Sequence, residues 1–421
     1  SSAEKRHDSQ TLRQIDEFRE LLNHRRKYFH RRSIWNMDQT GFSYELATER
    51  TLSNKGERDT VLFASSRNKQ THSYTAQLMI SRDGRLIGDL LLCFQERSGT
   101  FGPKVGAKVQ ELQELYGNIK VLASPSGKMS SDLNVEWIRL VVEPAVNLHN
   151  SRANDDSSQP VLPARSLVRS DVEGIDDDDE ACYGSRLRSS YQGCDDLGGP
   201  QDACRGQSRA RVAAECTSPA TILLLVDAWA GNRAIHPDAR LLGIKVMTIP
   251  ERSTAEVQPL DVGFMRQYKL FVGRITNQAH FDDLISTITT REGIMNMQSL
   301  VWNQFSSPMY RSMITWCWHK TDLSYSSEEL ESDPPALVRQ IQFNFGASEC
   351  QVEGCPQNAF IRCAHCGKAL CLEHFLNRTC FHDRPSDPES TSFDINSQSA
   401  DEDTQESDLE DEEMIFNSEI E

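Results

Sequence analysis

The chain has 421 residues, 38% of them hydrophobic, and a formal charge of −17, enough material for one large core and too much for a single small domain. No run reaches the roughly 18 to 20 apolar residues of a membrane span, and the N-terminal "SSAEKRHDSQ" has no apolar signal region, so the expectation is a soluble, unsecreted protein with no membrane contact. The negative charge is concentrated in Asp383–Glu421, with 15 acidic residues against Arg384 alone, and in Asn150–Pro219, with 13 against eight basic; the near-neutral remainder leaves nucleic acid open as a partner.

In chain order, Ser9–Arg31 alternates charged and apolar residues (Leu12, Ile15, Phe18, Leu21, Leu22) at helical spacing, which predicts an amphipathic N-terminal helix within 1–32. The basic run "NHRRKYFHRR" (Asn23–Arg32) reads as a solvated helix face or as a phosphate contact. "SIWNMDQTGF" predicts a short strand entering a turn at Gly41. Further strands are expected at "TVLFAS" (Thr60–Ser65) and in "SYTAQLMISRDGRLIGDLLLCF", where "RDG" is a hairpin signal. The helix "GAKVQELQELYG", the strand "NIKVLAS" and a helix from "SSDLNVEWIRLVVEP", stopped by Pro144, follow. Residues 147–219 lose all periodicity and read as a disordered or non-ancestral insertion, such as translated intron. A small module using Cys182, Cys194, Cys204 and Cys216 is the alternative. Order resumes with the strand "TILLLVD", a helix near "HPDARLLG", the strand "IKVMTIP" and a helix near "QPLDVGFMRQYKLFVGRI"; the segments after it are less legible. The pattern predicts an α/β domain, split over 33–146 and 220–330, with helices covering a mixed sheet.

Three aspartates occupy chemically similar places. Asp38 ends "SIWNMD", Asp227 ends "TILLLVD", and Asp261 lies in "QPLD" at the first turn of a helix. Open α/β sheets bind ligands at the carboxyl ends of their strands, which would make the three neighbours. Clustered carboxylates repel unless cations neutralise them, and magnesium suits oxygen ligands. Two such ions would activate an attacking water or 3′-hydroxyl and stabilise the leaving oxygen of a phosphodiester.

"WNMDQTGF", "LLLVDAWAGN" and "IPERSTAEVQPLDVGFMRQYK" resemble the three acidic motifs of DDE superfamily transposases of the pogo, Tigger and jerky type, over roughly Ser33–Ile275 without the insertion. The resemblance implies a ribonuclease-H-like fold, two magnesium ions on Asp38, Asp227 and Asp261, and cleavage and joining of DNA in the nucleus. Departures are Ala228, Trp229 and Asn232 after the second aspartate, the 189 positions between Asp38 and Asp227, and the lack of room in about 30 N-terminal residues for that group's helix-turn-helix. A catalytically silent, domesticated DNA- or chromatin-binding protein is the alternative.

Between Cys350 and His382 the spacing is C-x4-C-x7-C-x2-C-x4-C-x2-H-x5-C-x-H. Eight soft ligands in four pairs suit two tetrahedral zinc sites. Interleaving assigns Cys350, Cys355, Cys371 and His374 to one ion and Cys363, Cys366, Cys380 and His382 to the other, with His365 a bystander. Zinc would supply the folding free energy of this small module, 345–382. Part of it resembles the cross-brace finger of piggyBac-type transposases and is similar to AN1-type fingers; the first likeness implies DNA contacts, the second contacts with ubiquitin-related proteins. Homodimerisation is open. The tail, 383–421, has the composition of a disordered acidic segment.

Overall fold

The computed structural model describes residues 9–44, 72–155, 221–321, 337–346 and 349–383. The expected strand Thr60–Ser65, all of 156–220 and the acidic tail after Asp383 lie outside them. The chain builds a mixed six-stranded sheet from β1 (Ile34–Ser43), β2 (Ser73–Ser81), β3 (Leu86–Gln95), β4 (Ile119–Ser124), β5 (Ile222–Val226) and β6 (Ile244–Thr248), in the order β4-β3-β2-β1-β5-β6. β1, β2 and β3 form an antiparallel meander, β4 joins β3 in parallel, and β5 and β6 extend the other side in parallel. An antiparallel meander continued by parallel strands beside β1 is the ribonuclease-H-like arrangement.

β5 shows why a five-residue apolar run is needed. It lies between β1 and β6, and both of its faces are covered, so no position tolerates a polar side chain. Leu223 and Leu225 point into one core cluster, while Ile222, Leu224 and Val226 point into the other. The β2–β3 turn, Arg82–Arg85, depends on Gly84. Its φ is +87°, and a Cβ there would lie 2.6 Å from the Arg311 carbonyl oxygen.

The helices are α1 (Ser9–Arg25), α2 (Pro103–Tyr116), α3 (Ser131–Trp137), α4 (Glu143–Asp155), α5 (His236–Leu241), α6 (Thr254–Val257), α7 (Met265–Phe281), α8 (Ile285–Ile288), α9 (Arg291–Phe305) and α10 (Arg311–Lys320). Two helical expectations change. In α1 the buried stripe is Thr11, Ile15, Phe18 and Leu22, whereas Leu12 and Leu21 are exposed and the helix ends at Arg25, short of Arg31. Pro144 does not stop its helix. A π turn, Ile138–Val142, precedes it, and Glu143 N–H bonds the Ile138 carbonyl five residues back. The ladder is thus already shifting register where proline lacks its donor, and α4 runs on to Asp155, past the expected boundary at 147. Among the described residues, no helix is long and apolar enough to cross a membrane.

α9 is the hub of the larger cluster. Ile294, Met295 and every residue from Met297 to Phe305 are buried, including Gln298, Ser299, Asn303 and Gln304. On one side Gln298 donates to the Tyr74 hydroxyl at 2.7 Å and accepts from Tyr268, tying α9 to β2 and α7. On the other side lies the C-terminal module: β7 (Ile361–Arg362), β8 (Ala369–Leu370) and α11 (Leu372–Leu376).

Candidate functional site

Asp38 lies within β1 and not at its end, and the turn expected at Gly41 is absent, since β1 runs on through Gly41 to Ser43 against β2. On its other edge, however, β1 pairs with β5 only from Ile34↔Leu223 to Asn36↔Leu225. Two residues further along the same register Asp38 faces Asp227, just past the end of β5. The two aspartates therefore share the carboxyl edge of the parallel strands. Asp261 is exposed on a π turn, Leu260–Phe264, that leads into α7.

Burial and negative neighbours dominate the electrostatics. Desolvation pushes the Asp38 carboxyl well above the usual carboxylate range; the charge of Asp261, with which it shares a side-chain hydrogen bond, adds to this, and Asp227 adds a smaller push. The Gln39 N–H, 2.7 Å from Asp38 Oδ1, pulls the other way. Burial also raises the Asp227 carboxyl, against the backbone N–H of Trp229, with Asp261 repelling and the Asn232 amide stabilising the charged form. The charges acting on Asp38 are thus other carboxylates. An oxygen-seeking divalent cation fits such a set, because it supplies the missing countercharge.

Four amides that were not singled out as functional from the sequence hold the acids in place. Asn232 donates to Asp227 Oδ1 and, at 3.2 Å, to its carbonyl. Asn134 donates to Asn232 Oδ1 at 2.8 Å and accepts from Gln77 at 3.0 Å. Gln77 and Asn134 are fully buried and Asn232 nearly so. Asn36, also fully buried, donates to the Leu225 carbonyl at 3.2 Å and accepts from Leu260 N–H at 3.0 Å. The tip of the Trp229 ring lies directly over Gly231, 2.2 Å from where a Cβ would stand, so a larger residue there would push the ring aside. Asn36 and Asn232 were visible beside their motifs as polar residues in apolar or glycine-rich surroundings; Asn134 and Gln77 had no local signal.

The eight cysteines and histidines come together as Cys350, Cys355, Cys371 and His374, and as Cys363, Cys366, Cys380 and His382, with the ligand atoms of each group within 4.8 Å of one another. These are the interleaved sets, and His365 stands outside both. Among the described residues they are also the groups with metal-ligand spacing; the three carboxylates are less tightly gathered. Zinc–sulfur bonds of about 2.3 Å in a tetrahedron imply sulfur–sulfur edges of about 3.8 Å and somewhat shorter sulfur–nitrogen edges. The structure has Cys355–Cys371 at 4.0 Å, Cys366–Cys380 at 3.7 Å, Cys371–His374 Nδ1 at 3.2 Å and Cys363–His382 Nε2 at 3.3 Å. Donor chemistry and spacing both fit zinc.

The module is not a separate bead. Its Ile361, Leu370, Leu372, Phe375 and Leu376 belong to the same core cluster as α7 and α9. Gln304 of α9 accepts from Ala364 N–H at 2.8 Å, between two ligands of the second quartet, and donates to Cys363 Sγ at 3.6 Å. Asn303 donates to the His382 carbonyl at 2.6 Å and accepts from its N–H, while its own carbonyl lies 2.8 Å from the His365 ring nitrogen. Arg378 stacks between Tyr116 and Phe381 and donates to Asn296 and Ser299 of α9.

No curated protein matches the chain. Among solved structures it is similar to that of a pre-cleavage Mos1 transpososome (8% identity, TM-score 0.30, covering 71% of this chain and 62% of that one). It is also similar to a Mos1 transposase paired-end complex with the left transposon end (9% identity, TM-score 0.30, covering 72% and 63%). The chain thus spans less than two thirds of the length of those chains. Residues 327–380 match the Tc5 transposase C-terminal domain; that span contains every quartet ligand except His382, so this part of the chain is similar to the C-terminal domain of a transposase.

Proposed function

We propose that the chain is a transposase-derived protein whose α/β domain is a DDE-type endonuclease and strand transferase acting on DNA. The observation that carries the reading is the convergence of Asp38, Asp227 and Asp261, from three distant segments, at the carboxyl end of β5, where Asp261 and Asp227 act on the buried Asp38 and a divalent cation would supply the countercharge. The similarity of 327–380 to a transposase domain supports it independently. The three aspartates would hold two magnesium ions, which when bound supply activation of a water or 3′-hydroxyl and neutralise charge on the phosphodiester. The protein's own residues do the rest. Asp261, on the exposed side, faces incoming substrate, Asn232 fixes the Asp227 carboxylate, and Asn36 ties together the segments that bear the acids.

The two quartets would each hold zinc, making the C-terminal module a structural part of the same protein and a candidate contact for DNA ends. Magnesium- or manganese-dependent nicking of duplex DNA that disappears in Asp227→Ala is the expected result. DNA binding with no cleavage under either metal would instead identify a silent, domesticated DNA- or chromatin-binding protein. Unchanged divalent-metal affinity in Asp227→Ala would refute the site.

A further inference from the structure

The three acids sit on segments that are far apart in sequence, and one buried side chain touches all three segments. Asn36 precedes Asp38 by two residues on β1. Its Nδ2 donates to the carbonyl of Leu225, two residues before Asp227. Its Oδ1 accepts from the N–H of Leu260, the residue before Asp261. That N–H opens the helical stretch at Leu260 and is one of the donors that a helix start cannot satisfy internally; Asn36 satisfies it from the sheet. The residue has no solvent exposure, so neither contact can be handed to water without cost. Among uncharged side chains, a primary amide presents a donor and an acceptor on one rigid planar group, as this bridge requires.

We infer that Asn36 is the positioning residue of the carboxylate site, fixing where the Asp261 turn docks against β1 and the end of β5 and so how far apart the acids stand. It touches neither metal nor DNA; it acts through the backbone that carries the ligands. The inference rests on the reading of Asp38, Asp227 and Asp261 as a divalent-metal site. Groups that hydrogen-bond a metal ligand directly change metal affinity or turnover about ten- to hundredfold when removed, and Asn36, acting one step further out through the backbone, belongs at the lower end of that range.

The test uses the full chain with zinc loaded and Mn2+ as the probe, titrated by electron paramagnetic resonance, in the wild type, Asn36→Leu, Asn36→Asp and Asp261→Asn. Asn36→Leu keeps approximate volume and removes both hydrogen bonds. Asn36→Asp keeps the acceptor for Leu260 and, once ionised, loses the donor to Leu225. The expected result is wild-type binding that Asp261→Asn abolishes and that both Asn36 variants weaken on the order of tenfold or more, with zinc content and metal-free DNA binding unchanged. In the nicking assay, kcat falls while KM for DNA holds. A merely structural Asn36 would lower the melting temperature and leave the Mn2+ affinity of the folded protein alone. Should Asn36→Leu fail to fold, Asn36→Asp decides. Affinity within twofold of wild type in the folded Asn36 variants, with Asp261→Asn still defective, overturns the assignment of Asn36. Equal Mn2+ uptake by wild type and Asp261→Asn overturns the metal site itself, and the Asn36 role with it.

Discussion

Gln304→Leu is the sharpest probe of how the zinc module is joined to the rest of the protein. Gln304 is fully buried on α9. Its Oε1 accepts from Ala364 N–H at 2.8 Å and from Gln342 Nε2 at 2.9 Å, and its Nε2 donates more weakly to Cys363 Sγ and to the Cys380 carbonyl. Leucine fills a comparable volume but accepts nothing, which strands two buried donors. At about 1 to 3 kcal/mol for each unsatisfied group, the loss is about 2 to 6 kcal/mol. For a cooperative unit of this size that is a fall in melting temperature of roughly 4 to 24 °C. Ala364 separates Cys363 from His365 and Cys366, so the second quartet should also give up zinc more readily. Gln304→Glu, which keeps an oxygen facing Ala364, should lose less than Gln304→Leu. Calorimetric melting and metal analysis after timed exposure to a chelator read both effects. A melting temperature within about 1 °C of wild type, with both zinc ions equally retained, would refute the coupling and make the module an independent bead.

Two further predictions concern the acid cluster and the hairpin. Burial raises the Asp38 and Asp227 carboxyls in the folded state, so the folded protein holds these protons more tightly than the unfolded chain, whose aspartates titrate near about 3.9. The stability they contribute is fully present below that value and is lost as pH rises through the folded pKa values. Metal-free protein should therefore lose stability across this window, magnesium should restore it, and Asp38→Asn should flatten the dependence; denaturant melts at stepped pH measure it, and a metal-free profile that does not fall with pH would count against the buried-carboxylate account. Gly84→Ala should destabilise by more than about 1 to 2 kcal/mol, the cost of the left-handed backbone alone, because the added methyl also meets the Arg311 carbonyl; zinc content should stay unchanged, and a wild-type melting temperature would show that the turn does not pack on α10 as described.

What was legible in the sequence and what was not differ in the range over which the cause acts. "TILLLV" reads as a strand because each residue is apolar for a local reason: both faces of β5 are covered. The hairpin at "RDG" and the pairing of eight ligands by spacing are local in the same sense, which is why the sheet and the composition of both quartets could be anticipated. α9 could not, because "MQSLVWNQF" carries Gln298, Ser299, Asn303 and Gln304 on faces that periodicity assigns to solvent. Each is buried because it meets a partner far along the chain: Tyr74 for Gln298, Asn118 for Ser299, His382 for Asn303 and Ala364 for Gln304. Buried polar groups must be hydrogen-bonded, but sequence shows only the polarity and not the bond.

The acids divide in the same way. Asp38, Asp227 and Asp261 stand out in the sequence because each adjoins a recognisable apolar run or helix start, although Asp38 lies inside β1 and not at its end. Their spacing is set by contacts that no window contains: Asn36 to Leu225 across 189 positions, Asn36 to Leu260 across 224, and Asn134 to Asn232 across 98. Along the chain, the 189 positions between Asp38 and Asp227 are a departure from the family pattern. In the fold the register of β1 on β5 cancels that distance, since Ile34, Trp35 and Asn36 pair with Leu223, Leu224 and Leu225 and the next like pair is Asp38 with Asp227. An insertion before β5 therefore leaves the acids in place so long as those three pairs and the Asn36 bridge survive, and the integrity of the site depends on this short stretch of parallel pairing rather than on the length of chain between its ends.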